Sequence, residues 1–202
     1  MLSFYEYITE KSDGRGLTVF DIDETLFQTK AKVKIVKDGE VVRSLDNQEY
    51  NVYKLKPGES YDYSEFRSAQ VFHDTSLPIE RMVEKAKVII KNATAAGSKV
   101  IIITARAQFD DHKVFLAAFR KHGIPVDDIH KIETSGDLKL GSSAKNKRFV
   151  FHKYLKSGQY DRARFFDDAM SNITMFKSLA KQYPDIKFEA YLVNHDGSIK
   201  KV

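Results

Sequence analysis

Asp21 and Asp23 stand two residues apart, with Thr25 two further on, at the end of the apolar, β-favouring run Leu17-Thr18-Val19-Phe20. Successive side chains alternate along a strand, and the chain is expected to turn away at Glu24-Thr25. Asp21, Asp23 and Thr25 can then converge at the strand's carboxyl end. Two carboxylates crowded there repel each other unless a cation lies between them. Carboxylate oxygens suit a hard ion such as Mg²⁺, which takes few protein ligands and keeps room for a phosphate oxygen.

Such a site needs a sheet to position it, and the rest of the chain supplies the pattern of one. Apolar residues recur with a helical period at Ile79, Met82, Val83, Ala86, Ile89 and Ile90, closed by Gly97. Val100-Ile101-Ile102-Ile103 is a continuous β-branched run, as in a strand covered on both faces. Beyond it the pattern predicts a helix over 112–122, a short strand over 129–133 and a helix over 144–156 capped by Ser143. A strand over 164–166, a helix over 173–182 and a last strand over 187–193 complete the alternation. The expected fold class is α/β: a Rossmann-like parallel sheet with helices on both faces, whose ligands sit at the carboxyl ends of its strands.

Residues 28–78 break that rhythm. Stretches 33–36 and 41–44 alternate about Lys37-Asp38-Gly39-Glu40, and Asp-Gly is a strong hairpin-turn signal. The division expected is an N-terminal helix or leader over 1–16, a core domain of 17–27 and 79–202, and a small inserted cap over 28–78 that contains the β-hairpin and stands over the first strand's end.

Composition narrows the classes of protein. The chain has 202 residues, 42% hydrophobic and 30% charged, as in an ordinary globule of about one domain. No apolar run approaches the ~20 residues that cross a bilayer, so no membrane partner is expected. Without cysteine there is no disulfide, thiolate nucleophile or zinc-thiolate site, and no secretory signal is apparent at the N-terminus. The expected location is the cytoplasm. A net charge of +5 favours anionic substrates, though it also suits a plain solvated surface.

Three further features fall where a phosphate site needs them. Ile101-Ile102-Ile103 ends in Thr104-Ala105-Arg106, which brings a hydroxyl and backbone N–H groups to the sheet edge, where they can hold a phosphate oxygen. Phe165-Phe166 ends in Asp167-Asp168, a source of metal ligands. Lys145 and Lys147 lie near the start of an expected helix, where the dipole disfavours a cation unless an anion is close.

Together, Val19-Phe20-Asp21-Ile22-Asp23-Glu24-Thr25-Leu26, Ile101-Ile102-Ile103-Thr104-Ala105-Arg106, Lys145 and Phe165-Phe166-Asp167-Asp168 resemble the four ordered motifs of the haloacid dehalogenase superfamily. The resemblance implies bound Mg²⁺ and phosphoryl transfer through an aspartyl-phosphate. Asp21 would be the nucleophile, and Asp23 would protonate the leaving oxygen and then activate water. A second aspartate at that place marks the phosphatases of the superfamily. Metal ligands would be Asp21, Asp23 and Asp168, with Asp167 either a ligand through water or an anchor for the lysine. Thr25, Ala105 and Arg106 would contact substrate. Thr104 and Lys145 would offset the repulsion between carboxylate and phosphate. Counting back from Phe149, Phe151 and Leu155 selects Lys145 as that lysine, with Lys147 the alternative. Asn172 stands where many relatives carry a second acidic residue.

The implied activity is a phosphomonoesterase acting on a nucleotide, a polynucleotide end or a small phosphorylated metabolite. A phosphoprotein phosphatase and a non-catalytic phage head protein that keeps the fold are the alternatives. Tyr50, Tyr53, Tyr61, Tyr63, Phe66 and Phe72 form the insertion's own small core or stack on a base. Residues 1–10, ending Ile8-Thr9-Glu10, resemble the leaders of tailed-phage proteins packaged in the prohead; an amphipathic first helix is the other reading. A phage origin would put the protein in the host cytoplasm or the virion.

Overall fold

Strand β1 (Gly16–Phe20) is buried along its whole length and forms the centre of the molecule. The computed structural model describes residues 15–202, so the leader and prohead expectations on residues 1–10 lie outside the described residues. After β1 the chain forms β2 (Phe27–Gln28), β3 (Val33–Lys37), β4 (Glu40–Leu45), α1 (Asn47–Val52) and β5 (Glu59–Asp62). Two short helices, α2 (Ser64–Arg67) and α3 (Ala69–Thr75), lead to β6 (Leu77–Pro78). The regular alternation then begins: α4 (Glu80–Ala95), β7 (Lys99–Thr104), α5 (His112–Lys121), β8 (Lys131–Thr134), α6 (Ser143–Leu155), β9 (Arg162–Asp167), α7 (Met170–Ser178), β10 (Lys187–Val193) and β11 (Ile199–Lys201).

Six strands form one sheet in the order β11-β10-β9-β1-β7-β8, parallel throughout except for the antiparallel edge strand β11. The period of two explains the layers. Leu17, Val19, Ile101, Ile103 and Phe165 join Val150, Phe151 and Phe176 of α6 and α7 in one apolar cluster. Their neighbours Phe20, Ile102 and Phe166 pack with Met82, Ile90 and Phe119 of α4 and α5 in the other. Each such side chain removed from water contributes about 1.5–3 kcal/mol, which fixes the strands' facing. The result is an α/β protein with a mostly parallel sheet between helices, compatible with the doubly wound expectation.

This order decides where a ligand can sit. From β1 the chain fills one side of the sheet with β7 and β8, then returns to add β9 and β10 on the other. The reversal leaves a crevice at the carboxyl ends of β1 and β9. Asp21 follows β1 and Asp167 ends β9, and the Asp21 N–H donates to Phe166 O at 3.0 Å across the gap.

The stretch between β2 and β6 has its own small sheet, ordered β4-β3-β5, while β2 and β6 pair antiparallel at its base. The β3–β4 turn puts Asp38 (φ 52°) and Gly39 (φ 85°) in the left-handed region, as a two-residue turn of the primed type requires. Ser142, one residue before the expected cap, accepts the Lys145 N–H at the start of α6. The expected helix over 173–182 begins earlier, at Met170, and gives way to a 3₁₀ turn over Leu179–Lys181. Among the described residues no helix is long and apolar enough to cross a membrane.

Candidate active site

Lys147 is the buried cation of the crevice. Its Nζ lies 2.8 Å from Asp21 Oδ1 and 2.7 Å from Asp167 Oδ2, with no exposure to solvent. Helix α6 explains the choice. Lys147, Phe151, Tyr154 and Leu155 recur at helical spacing on the face against the sheet. Lys145 shares the outward face with Phe149, which is itself 56% exposed. Of the two lysines, the structure brings Lys147, the alternative, rather than Lys145 to the carboxylates, because Phe149 faces outward and is not a core position.

Carboxylates gather around that ammonium. Asp21, Asp167 and Asp168 each offer an oxygen within 4.8 Å of the others. Asp167 is the lysine's anchor: its Oδ1 accepts from Ala169 N at 2.8 Å, and Asn172 Nδ2 donates to both of its oxygens at 3.0 Å. Asn172 thus serves the site as a donor that orients Asp167. Ser143 lines the cleft and donates to Asn172 Oδ1 at 3.4 Å.

Asp23 does not join the cluster. The turn after β1 is tight: Leu26 N and Phe27 N both donate to Ile22 O, and Glu24 adopts φ 56°. Asp23 is swung instead to Arg106, whose Nη2 lies 2.7 Å from Oδ1 and Nε 2.9 Å from Oδ2. The structure thus does not bring Asp23, expected as a metal ligand, into the carboxylate cluster, while the residue still lines the cleft. Thr25, expected to contact substrate, also stands apart. It is wholly buried, is not among the residues lining this cleft, and its Oγ1 has no hydrogen-bond partner among the described residues.

The second motif divides. Ala105 is exposed and lines the cleft as expected. Thr104 ends β7 beside β1, but it is fully buried and its Oγ1 accepts the Arg106 N–H at 3.1 Å. Arg106, expected to contact substrate, is 3% exposed and is placed against Asp23 rather than among the residues lining the cleft. The cleft itself encloses about 830 Å³ between these strand ends and Thr29, Lys30, Lys32, Asp46 and Tyr50 of the small sheet's segment. Tyr50 packs edge-on against Tyr61 and Tyr63, whereas Phe72 lies in the main core. Most of the aromatics thus serve packing.

Electrostatics follow from the geometry. Burial raises the Asp21 carboxyl well above the usual carboxylate range, with Lys147 pulling it back and Asp167, Asp168 and Asp23 adding to the rise. Asp168 is pushed up to about 7, first by burial and then by Asp167. Burial lowers Lys147, but Asp167 and Asp21 more than offset it and hold the ammonium above its ordinary value. A carboxyl raised on folding binds its proton more tightly in the native state. Its stabilising contribution is complete below the unfolded value and is lost as pH rises through about 7. With chelator present, Asp168→Asn should therefore melt above the parent at pH 8 and close to it at pH 4, as followed by thermal unfolding across pH.

The donor set fits a hard divalent cation: three carboxylates from two adjacent strand ends with one ammonium among them, Asp21 and Asp168 being raised by burial and by neighbouring carboxylates. The chain matches no family model and no curated protein, so the resemblance described above rests on its own four motifs.

Proposed function

We propose that the protein is a Mg²⁺-dependent phosphomonoesterase of the haloacid dehalogenase superfamily, working through an aspartyl-phosphate on Asp21. The observation that carries this reading is the buried Lys147 bridging Asp21 and Asp167 at the switch point of the sheet. In the first step an Asp21 oxygen attacks phosphorus, the ester P–O bond breaks, and the leaving oxygen takes a proton from Asp23. In the second, water attacks phosphorus, returns a proton to Asp23, and frees phosphate and the Asp21 carboxylate. Lys147 holds Asp21 in place and offsets its repulsion for the incoming anion, and Asp167, itself oriented by Asn172, holds Lys147. Asp21, Asp167 and Asp168 are the residues that would hold Mg²⁺. When bound, the ion neutralises phosphate charge.

Residues 28–78 act as a cap in this reading, and Lys30, Lys32 and Tyr50 face the leaving group of a nucleotide, polynucleotide end or small phosphorylated metabolite. A panel of such esters, assayed with Mg²⁺ and with chelator, tests the proposal. Mg²⁺-dependent release of phosphate is expected. Release from phosphopeptides in preference to small esters would favour a protein phosphatase instead. Mg²⁺ should also stabilise the fold. At about 100 times its Kd it adds roughly 2.7 kcal/mol, a rise in Tm of about 5–10 °C for a domain of this size. Asp168→Asn should remove most of that rise, and an equal rise in the variant would place the ion elsewhere.

A further inference from the structure

Arg106 is buried against the ordinary preference of a guanidinium, and each of its three guanidinium nitrogens donates. Nε and Nη2 grip both oxygens of Asp23, Nη2 also donates to Thr29 Oγ1 at 2.7 Å, and Nη1 donates to Phe66 O at 3.1 Å. The rings of Phe66, Phe72 and Phe109 surround it, with its Cζ 4.8, 5.0 and 5.4 Å from their centroids. Among the described residues Asp23 is its only ion-pair partner. A charge so enclosed is costly unless paired, and a planar fork locks a carboxylate's orientation where an ammonium does not.

Its backbone is fixed as well. Gly136 N donates to Arg106 O at 3.0 Å, and a Cβ on Gly136 would stand 2.5 Å from Ala105 O, so the 105–107 turn lies directly on that glycine. Asp110 Oδ1 accepts the Ala69 N–H at 2.8 Å, and Asp137, which accepts the Gln108 N–H at 2.8 Å, pairs with Arg67 at 2.8 Å, so the loop is tied to α3 directly and to α2 through Asp137.

From this geometry we infer that Arg106 is a positioning residue: it aims the Asp23 carboxyl at the leaving group and ties that aim to the seating of residues 28–78 through Thr29 and Phe66. The inference rests on the phosphatase reading and deepens it. Oδ1 accepts an Nη2–H and a share of the single Nε–H, whereas Oδ2 accepts only from that shared Nε–H, so Oδ2 is the less occupied oxygen for proton exchange. Arg106 never touches substrate. Its effect is exerted wholly through Asp23.

The test uses two esters that differ in how much they need a proton. An aryl phosphate expels a stable phenolate, whereas an alkyl phosphate expels a poor leaving group that must be protonated. Because general-acid catalysis is worth about 10²–10⁴-fold, Arg106→Met should lower kcat for the alkyl ester at least ~10-fold more than for the aryl ester, with KM little changed. Methylguanidinium added to Arg106→Ala should restore part of the alkyl-ester rate. In Asp23→Asn, the further change Arg106→Met should cost little, since the two act as one unit. Thermal unfolding of each variant confirms that the protein assayed is folded, and Arg106→Lys serves if Arg106→Met does not fold. Equal losses on both esters, or a loss confined to KM, would overturn the positioning role and leave the phosphatase reading standing. Failure of the parent protein to hydrolyse either ester would overturn both.

Discussion

Replacing Asp21 with asparagine is expected to reduce phosphate release at least about 10⁴-fold while the protein stays folded, because the loss of a nucleophile is not made good by the groups around it. The amide keeps the volume and the backbone bond from Asp21 N to Phe166 O, so the crevice between β1 and β9 is retained. It removes one of three carboxylates crowding a single ammonium. In chelator, Asp21→Asn should therefore not unfold more readily than the parent at neutral pH, since the carboxyl it replaces is one that burial and its neighbours disfavour as a charge. Steady-state assay beside thermal unfolding separates the two effects. Turnover within tenfold of the parent would remove Asp21 from the chemistry.

The second large effect is expected at Lys147, and it discriminates between neighbours on one helix. Lys147→Met keeps an unbranched side chain in the same space but leaves Asp21 and Asp167 buried beside each other without their ammonium. Breaking a buried pair by removing one partner costs about 3–5 kcal/mol, which for a domain of this size lowers Tm by roughly 6–20 °C. Activity should fall with it, as Asp21 loses both its orientation and the charge that lets an anion approach. Added Mg²⁺ should recover part of the stability and little of the rate. Lys145→Met, on the outward face of the same turn, should change Tm and turnover hardly at all. The reverse pattern would restore Lys145 to the role the sequence suggested.

That exchange of lysines shows where a sequence can be read and where it stops. The buried strands were legible because Val100-Ile101-Ile102-Ile103 and Leu17-Thr18-Val19-Phe20 are apolar and β-branched on both faces. Asp21 and the pair Asp167-Asp168 were legible because they stand at the carboxyl ends of apolar stretches, Leu17-Thr18-Val19-Phe20 and Phe165-Phe166, where the parallel sheet gathers ends. Lys147 carries its own signal: Val150, Phe151, Tyr154 and Leu155 define the inward stripe, and stepping back one turn gives 147 rather than 145. Phe149, a large apolar residue on the outside, hid it.

Asp23 and Arg106 were harder. Alternation alone would put Asp21 and Asp23 on one side, but the turn at Glu24 ends the strand's regular geometry, and a partner 83 residues away decides where the carboxyl goes. Strand β5, a polar Glu-Ser-Tyr-Asp stretch, and the short edge strand β11 lacked the alternation that marks a strand and were missed for that reason. Of the short helices of residues 47–75, α1 and α3 are set by caps at Asp46 and Ser68 rather than by an apolar stripe.

The transfer of a phosphoryl group to Asp21 is open to direct observation. Asp23→Asn, given an aryl phosphate whose leaving group needs no proton, should accept the group and then hydrolyse it slowly, so that the acyl phosphate accumulates. Quenching and reducing with borohydride converts a phosphorylated aspartate to homoserine, and mass spectrometry of the tryptic peptide spanning residues 16–30 then reads the site. Homoserine at position 21, formed only when both ester and Mg²⁺ are present, is the expected result. An unmodified peptide during demonstrated phosphate release, or homoserine at any other aspartate, would contradict the account.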